Sequence, residues 1–211
     1  MKRLILGLAL AALSGSAQQE RGEIAPIALY TQFQHQPSVA IKAAVKDELE
    51  AIMSPSGLHF EWRSLPQTNA SEVSVELAVV SFKGHCDISG LSSVHGSPGA
   101  LGWTHVSDGI ILPFSDVDCD RIRVFVQHDL LSLPAEQRER VFSRAVARVL
   151  AHELYHVLAN TSRHGSCGVG KSAYTVHELL SDDFQFEEHE SDALRANRPH
   201  TLSAEPAGSS I

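Results

Sequence analysis

After its N-terminus, the sequence lacks the run of about 20 apolar residues that a membrane-spanning helix requires, so we expect no stable membrane insertion. Positive charge is also scarce. The sequence contains 17 Lys and Arg residues and 25 Asp and Glu residues, which gives a formal net charge of −8. Nucleic acid and anionic membranes are therefore poor partners. The chain contains no internal repeat, which argues against repeat architectures.

The N-terminus has the features of a secretory signal peptide. Lys2 and Arg3 precede an apolar stretch from Leu4 to Leu13, and small residues follow as far as Ala17. We predict a signal peptide at residues 1–17, cleaved after Ala17, and hence a secreted or periplasmic protein. Loss of the two basic residues would leave 15 basic and 25 acidic side chains, a formal charge of −10.

Only three cysteines are present. In an exported chain this number fits one disulfide and one odd thiol. Cys86 and Cys119 flank the middle of the chain and are the favoured pair. Cys167 stays open as a free thiol or a metal ligand.

The pattern of apolar residues predicts one domain at residues 18–194 and a disordered tail, rich in Pro, Ser, Ala and Gly, at residues 195–211. Within the domain we expect α+β architecture, with a mixed twisted sheet packed on two helices and an irregular C-terminal part. The strand candidates are residues 24–33, 58–64, 73–82, a pair within 99–114 that turns at 107–109, and 122–127. The helix candidates are residues 38–53 and a long helix that enters at 132–134 and stops near Asn160.

The predicted long helix ends in the motif His152-Glu153-Leu154-Tyr155-His156. Two histidines four residues apart lie on one helix face, so both imidazoles reach one metal ion. Glu153 is left free beside the ion to act as a general base on a zinc-bound water. His164 follows beyond the helix stop and is the candidate third ligand. Three protein ligands with a fourth position open to water are typical of a catalytic zinc site.

With these residues the chain resembles the zincin metallopeptidases, and within them the metzincins. The resemblance covers about residues 38–164 and implies Zn²⁺ bound by His152, His156 and His164, with Glu153 as the catalytic base. It also implies a secreted metalloendopeptidase that acts on a peptide or protein substrate. The stretch 99–114 looks like the segment that provides a substrate-binding edge strand in matrixin-type members. The chain departs from the metzincin pattern at three points: His164 comes two positions late, Ala159 replaces a glycine, and no methionine other than Met1 and Met53 is present to form the methionine turn.

Several alternatives remain open. Glu178, which begins an E-x-x-x-D pattern ending at Asp182, could replace His164 as the third ligand, as in gluzincins. Tyr174 could donate to an oxyanion, although a core or surface role is favoured for it. The acidic residues Asp116, Asp118 and Asp120 could attract calcium, although an ordinary acidic loop is favoured. The alternative to a peptidase is a catalytically inactive zincin-like protein that binds a peptide or partner, and a third hypothesis is hydrolysis of a non-peptide amide.

Overall fold

The computed structural model describes residues 26–67, 74–93, 96 and 99–198, and these lie within one compact unit, Ala25–His200. The predicted signal peptide and residues 199–211 lie outside the described residues. The strands are Ile27–His35 (β1), Phe60–Ser64 (β2), Leu77–His85 (β3), Gly102–Ser107 (β4) and Ile110–Asp118 (β5). The helices are Val39–Met53 (α1), Cys119–Ser132 (α2), Ala135–Leu158 (α3), Val176–Leu180 (α4) and Glu188–Ala196 (α5).

The five strands form one mixed sheet in the order β2-β1-β3-β5-β4. Neighbouring strands pair in parallel except β4, which pairs antiparallel to β5 at one edge. The hairpin between them turns at Asp108 and Gly109, with φ angles of 51° and 78°. Two consecutive positive φ angles match the right-handed strand twist at a two-residue hairpin turn. The predicted mixed sheet and the predicted pair of extended segments in 99–114 are both confirmed.

The helix predicted over 38–53 is confirmed as α1. The Ser38 hydroxyl accepts from the Ile41 amide at 3.1 Å and caps its N-terminus. Ile41, Val45, Leu49 and Ile52 recur at helical spacing and are all buried, so one face of α1 packs into the core. This face meets α3, and α3 in turn packs on β4, β5 and α2. The long helix is thereby held between the sheet and two other helices.

The prediction of a strand over 122–127 is wrong, because these residues belong to α2. The Asp118 carboxylate accepts from the Arg121 amide at 2.9 Å and starts the helix. Ile122, Val126 and Leu130 then recur every four residues and are fully buried. Ser132, expected at the entry to the long helix, is instead the last residue of α2, and α3 begins after Pro134.

The C-terminal part is more regular than predicted, since it contains α4 and α5. Arg195 and Ala196, assigned to the disordered tail, are the last residues of α5. Arg198 donates to the Gly57 carbonyl at 2.8 Å, so the ordered chain extends beyond residue 194. In the part of the chain that the structure covers, no helix has both the length and the apolar character needed to cross a membrane.

Cys86 and Cys119 form a disulfide, as predicted. The bond joins the segment that follows β3 to the first residue of α2. Cys167 is a free, exposed thiol, and it is not a member of the histidine cluster described below.

Candidate metal centre

The structure brings His152, His156 and His164 together. Each offers one ring nitrogen, and these three atoms lie within 4.8 Å of one another. His152 and His156 are buried in the last turns of α3, and His164 is exposed. Among the described residues, no other group of three His, Cys, Asp or Glu side chains is close enough to hold a metal ion. The cluster could therefore hold a metal, with His164 closing it from the solvent side.

The end of α3 explains how His164 reaches the other two histidines. The helix ends at Leu158, and Asn160 just beyond it has a φ of 46°, so the helix stops near Asn160 as the sequence predicts. The Thr161 amide then donates to the His156 carbonyl at 3.1 Å, and the chain turns back over the helix end.

Backbone carbonyls fix the orientation of both buried imidazoles. His152 Nδ1 lies 2.7 Å from the Val169 carbonyl oxygen, and His156 Nδ1 lies 2.7 Å from that of Thr161. Since a carbonyl only accepts, each Nδ1 carries the proton and each Nε2 carries a lone pair. The two Nε2 atoms face each other at 3.1 Å. Two bare lone pairs at this distance repel unless a cation lies between them.

The spacing of the two buried ring nitrogens fits a divalent cation. Two nitrogens bound at about 2.0–2.1 Å to one tetrahedral zinc ion lie about 3.3–3.4 Å apart, close to the observed Nε2 separation. Burial lowers the pKa of His152 to about 4, and burial also lowers the pKa of His156. Both rings are therefore neutral at physiological pH, as metal ligands must be.

Glu153 lies beside the histidines and outside their cluster. Its side chain is buried, and its Oε2 atom accepts from the Thr104 hydroxyl of β4 at 2.8 Å. Thr104 is itself 3.0 Å from the Ser115 hydroxyl of β5, which can supply the proton that Thr104 accepts. Burial raises the pKa of Glu153 to about 7, although the hydrogen bond from Thr104 acts to lower it. A carboxyl with this pKa both takes and releases a proton near neutral pH.

Gly102 allows β4 to approach the helix this closely. A Cβ atom at this position would lie 2.9 Å from Glu153 Cγ and Oε1 and 2.9 Å from Val149 Cγ1. Any side chain here would therefore displace the Glu153 carboxylate or separate the strand from α3.

Two recesses meet at this point, and His152, Glu153 and Gly102 line both of them. One recess extends toward α2, where its walls are largely apolar: Leu101, Phe125, Val149 and Tyr174. The other runs along β4 and contains the rest of the histidine cluster together with Trp103, Val106 and Ile111. Glu153 thus lines both recesses, next to the edge strand.

Tyr174 is not placed as the possible oxyanion donor. Its hydroxyl donates to the Val169 carbonyl and lies 2.9 Å from His152 Nδ1, on the opposite side of the ring from the facing Nε2 atoms. Burial raises the pKa of Tyr174, so the phenol stays protonated and remains a donor. Tyr174 therefore supports the orientation of His152.

Glu178 is not part of the histidine cluster. Its carboxylate accepts from the Thr175 amide at 2.7 Å and from the Thr175 hydroxyl at 2.9 Å, which caps α4. A hydrogen bond from Lys171 lowers the pKa of Glu178 to about 2. With both oxygens engaged in this way, the carboxylate serves α4 and not the metal centre.

The three aspartates considered for calcium each have separate partners. Asp116 pairs with Lys83 and His105, Asp118 caps α2, and Asp120 pairs with Arg123. They form no shared cluster in the described part of the chain.

Sequence reasoning missed the residues that orient the site. The direct acceptors for the two buried histidines are the backbone carbonyls of Val169 and Thr161. Carbonyls leave no signal in side-chain composition. Thr104 and Gly102 lie in the stretch compared with the substrate-binding strand, but their contacts to Glu153 span about 50 residues of chain, and local patterns do not reveal such contacts. Comparisons with protein-family models, curated proteins and solved structures found no match.

Proposed function

We propose that the protein is a zincin-like, zinc-dependent metalloendopeptidase. One observation carries the proposal: two neutral imidazoles point their Nε2 lone pairs at each other across 3.1 Å, with a third imidazole beside them. This arrangement is favourable around a cation and unfavourable without one. An unligated, buried glutamate next to it supports catalysis, because a purely structural metal site has no use for that carboxylate.

Zinc is the metal that this donor set suits best. Three histidine nitrogens with an open fourth position are a common catalytic zinc site, whereas calcium and magnesium prefer oxygen ligands. When bound, zinc would act as a Lewis acid toward a substrate carbonyl and would lower the pKa of water toward about 7.

Glu153 would serve as the general base and then as the general acid. Its carboxylate would take the proton of the attacking water and pass it to the nitrogen of the departing amine. Thr104 holds Oε2, so Oε1 is the oxygen left to face the substrate. Burial raises the pKa of Glu153 in the metal-free chain, and a bound cation would act in the opposite direction and favour the carboxylate form that accepts the proton.

The edge strand β4 supports a peptide as the substrate. Its outer edge has no partner strand within the described residues. An extended peptide would pair with this edge and bring its backbone carbonyl to the histidine cluster. The neighbouring side chains of Trp103 and Val106 are 36% and 56% exposed and would contact the peptide. The net charge of −8 again disfavours nucleic acid.

We further propose that the protein is exported after removal of residues 1–17. The Cys86–Cys119 disulfide supports this location, because such bonds persist in oxidising compartments.

The test is metal content and peptide cleavage measured on the same preparations. We expect about one zinc per chain, and cleavage of denatured casein that a chelator abolishes and zinc restores. Glu153→Gln should retain the metal and lose turnover by a factor of at least about 10². Glu139→Gln, an exposed glutamate of the same helix, is the control. Zinc binding without turnover on a peptide library would favour the peptide-binding alternative, and turnover confined to small amides would favour the non-peptide substrate. A chain that binds no zinc would refute the proposal.

A further inference from the structure

The residues 165–171 form a loop that contacts His152 from outside the metal cluster. Gly165 donates to the Gly170 carbonyl at 2.8 Å, which closes the loop on itself. Val169 is fully buried, and its amide donates to the Gln185 carbonyl at 3.0 Å. Its own carbonyl is the acceptor for His152 Nδ1. The position of this loop therefore decides where the His152 ring points.

Two glutamates at the start of α5 hold the 165–171 loop. Glu187 Oε1 accepts from the Cys167 amide at 3.0 Å, from the Ser166 amide at 3.2 Å and from the Ser166 hydroxyl at 3.0 Å. The Cys167 thiol also lies 3.1 Å from this oxygen. The hydrogen bonds from Cys167 and Ser166 lower the pKa of Glu187 to about 2, so its charge is present at all physiological pH values.

Glu190 lies directly against the same loop. It is fully buried, and its Oε2 atom accepts from the Glu187 amide at 2.9 Å. Its Oε1 atom lies so close to Gly165 and Gly170 that a Cβ atom at either glycine would overlap it. Glu187 thus bonds to Ser166 and Cys167 on one side of Val169. Glu190, whose Oε1 atom has no hydrogen-bond partner, packs directly against the two glycines at the ends of the loop.

We infer that Glu187 and Glu190 are positioning residues of the metal centre: by fixing the 165–171 loop they hold the Val169 carbonyl against His152 Nδ1 and so direct His152 Nε2 toward the metal. The metal-related part of this inference rests on the proposed function. We expect the effect to be confined to His152, because His156 bonds to Thr161, three residues beyond the end of α3, and not to the 165–171 loop that the glutamates contact.

This selectivity supplies the test, which uses the full metal-free chain. Nitrogen-15 histidine NMR would follow the Nδ1–H protons of His152 and His156 in wild type, Glu187→Gln and Glu190→Gln. We expect the His152 proton to lose its hydrogen-bonded signal or to broaden in both variants, while the His156 proton is unchanged. Glu188→Gln, an exposed neighbour with the same charge change, should leave both signals intact. Zinc affinity, measured by chelator competition, should fall about 10- to 100-fold in the two variants only.

A second perturbation covers the case in which a glutamate variant fails to fold. Gly170→Ala changes no charge and pushes the loop away from Glu190, so it should produce the same loss at His152 alone. Unchanged histidine signals in the folded variants would overturn the inference, as would equal changes at His152 and His156, which would indicate general destabilisation. A wild-type chain that binds no zinc would refute the proposed function, whereas the NMR result would still decide whether the glutamates orient His152.

Discussion

Replacement of Glu153 by glutamine should make the metal-free protein more stable at alkaline pH while it removes catalysis. In the fold, burial raises the pKa of this carboxyl to about 7, against an unperturbed value of 4.5. A raised pKa means that folding favours the protonated form. The stabilising contribution is complete below about pH 4.5 and is lost as the pH rises through about 7. Glutamine resembles the protonated acid in shape and stays neutral, so it avoids that loss.

The difference of about 2.5 pKa units corresponds to about 3 kcal/mol at pH 8 and above. For a domain of this size, that free energy equals a rise in Tm of roughly 6–12 °C. The difference in stability should become small near pH 4.5, since the folded Glu153 is then protonated and neutral, like glutamine. The buried histidines are present in both proteins, so their pH-dependent contributions to stability cancel in the comparison.

The measurement is urea unfolding of metal-free wild type and Glu153→Gln from pH 4.5 to pH 8.5, with the exposed Glu139→Gln as the control. Saturating zinc should reduce the difference, because a nearby cation favours the ionised carboxylate. A glutamine variant that is less stable than wild type at pH 8, or a difference that does not change with pH, would refute the reasoning.

Three further outcomes follow from the same geometry. Thr104→Val removes the hydroxyl that bonds to Glu153, so we expect kcat to fall about tenfold while the zinc content is retained. Thr104→Ser should restore most of the kcat. An unchanged kcat in the valine variant would count against a role for this contact. His164→Ala should weaken zinc binding at least about 100-fold in chelator competition. The control is His177→Ala, which replaces an exposed histidine outside the cluster and should leave zinc binding unchanged. Equal effects of the two substitutions would rule out His164 as a ligand. Burial depresses the pKa of His152 to about 4, so metal-free Glu153→Gln should lose stability as the pH falls from about 6.5 through about 4. A urea midpoint that does not change over that range would contradict a neutral His152 ring in the folded protein.

The sequence predicted those parts of the fold whose signals are local. The four-residue recurrence of buried side chains in α1 and α3, the left-handed Asn160 and the Asp108-Gly109 turn all depend on a few neighbouring residues, and all are present. The strand prediction for residues 122–127 was wrong because it also depended on a local signal alone. A short apolar run fits a strand or a buried helix equally well, and the cap at Asp118 that distinguishes them was taken for an acidic loop.

The third ligand shows what a local reading of the site could have achieved. His164 is a candidate because it follows the helix stop, although two positions later than the metzincin spacing, and Glu178 is a candidate because it begins an E-x-x-x-D pattern, as in gluzincins. Thr175 and Glu178, however, also form the T-x-x-E pattern of a capping box, which commits the glutamate to the start of a helix. The sequence alone could therefore have favoured His164. The orientation of His152 offered no such signal, because it depends on a carbonyl 17 residues away and on a glutamate 20 residues beyond Cys167, the loop residue to which it bonds. The sequence motif therefore identifies the candidate metal ligands, whereas the direction in which the His152 ring points depends on a backbone carbonyl that only the folded chain brings close to it.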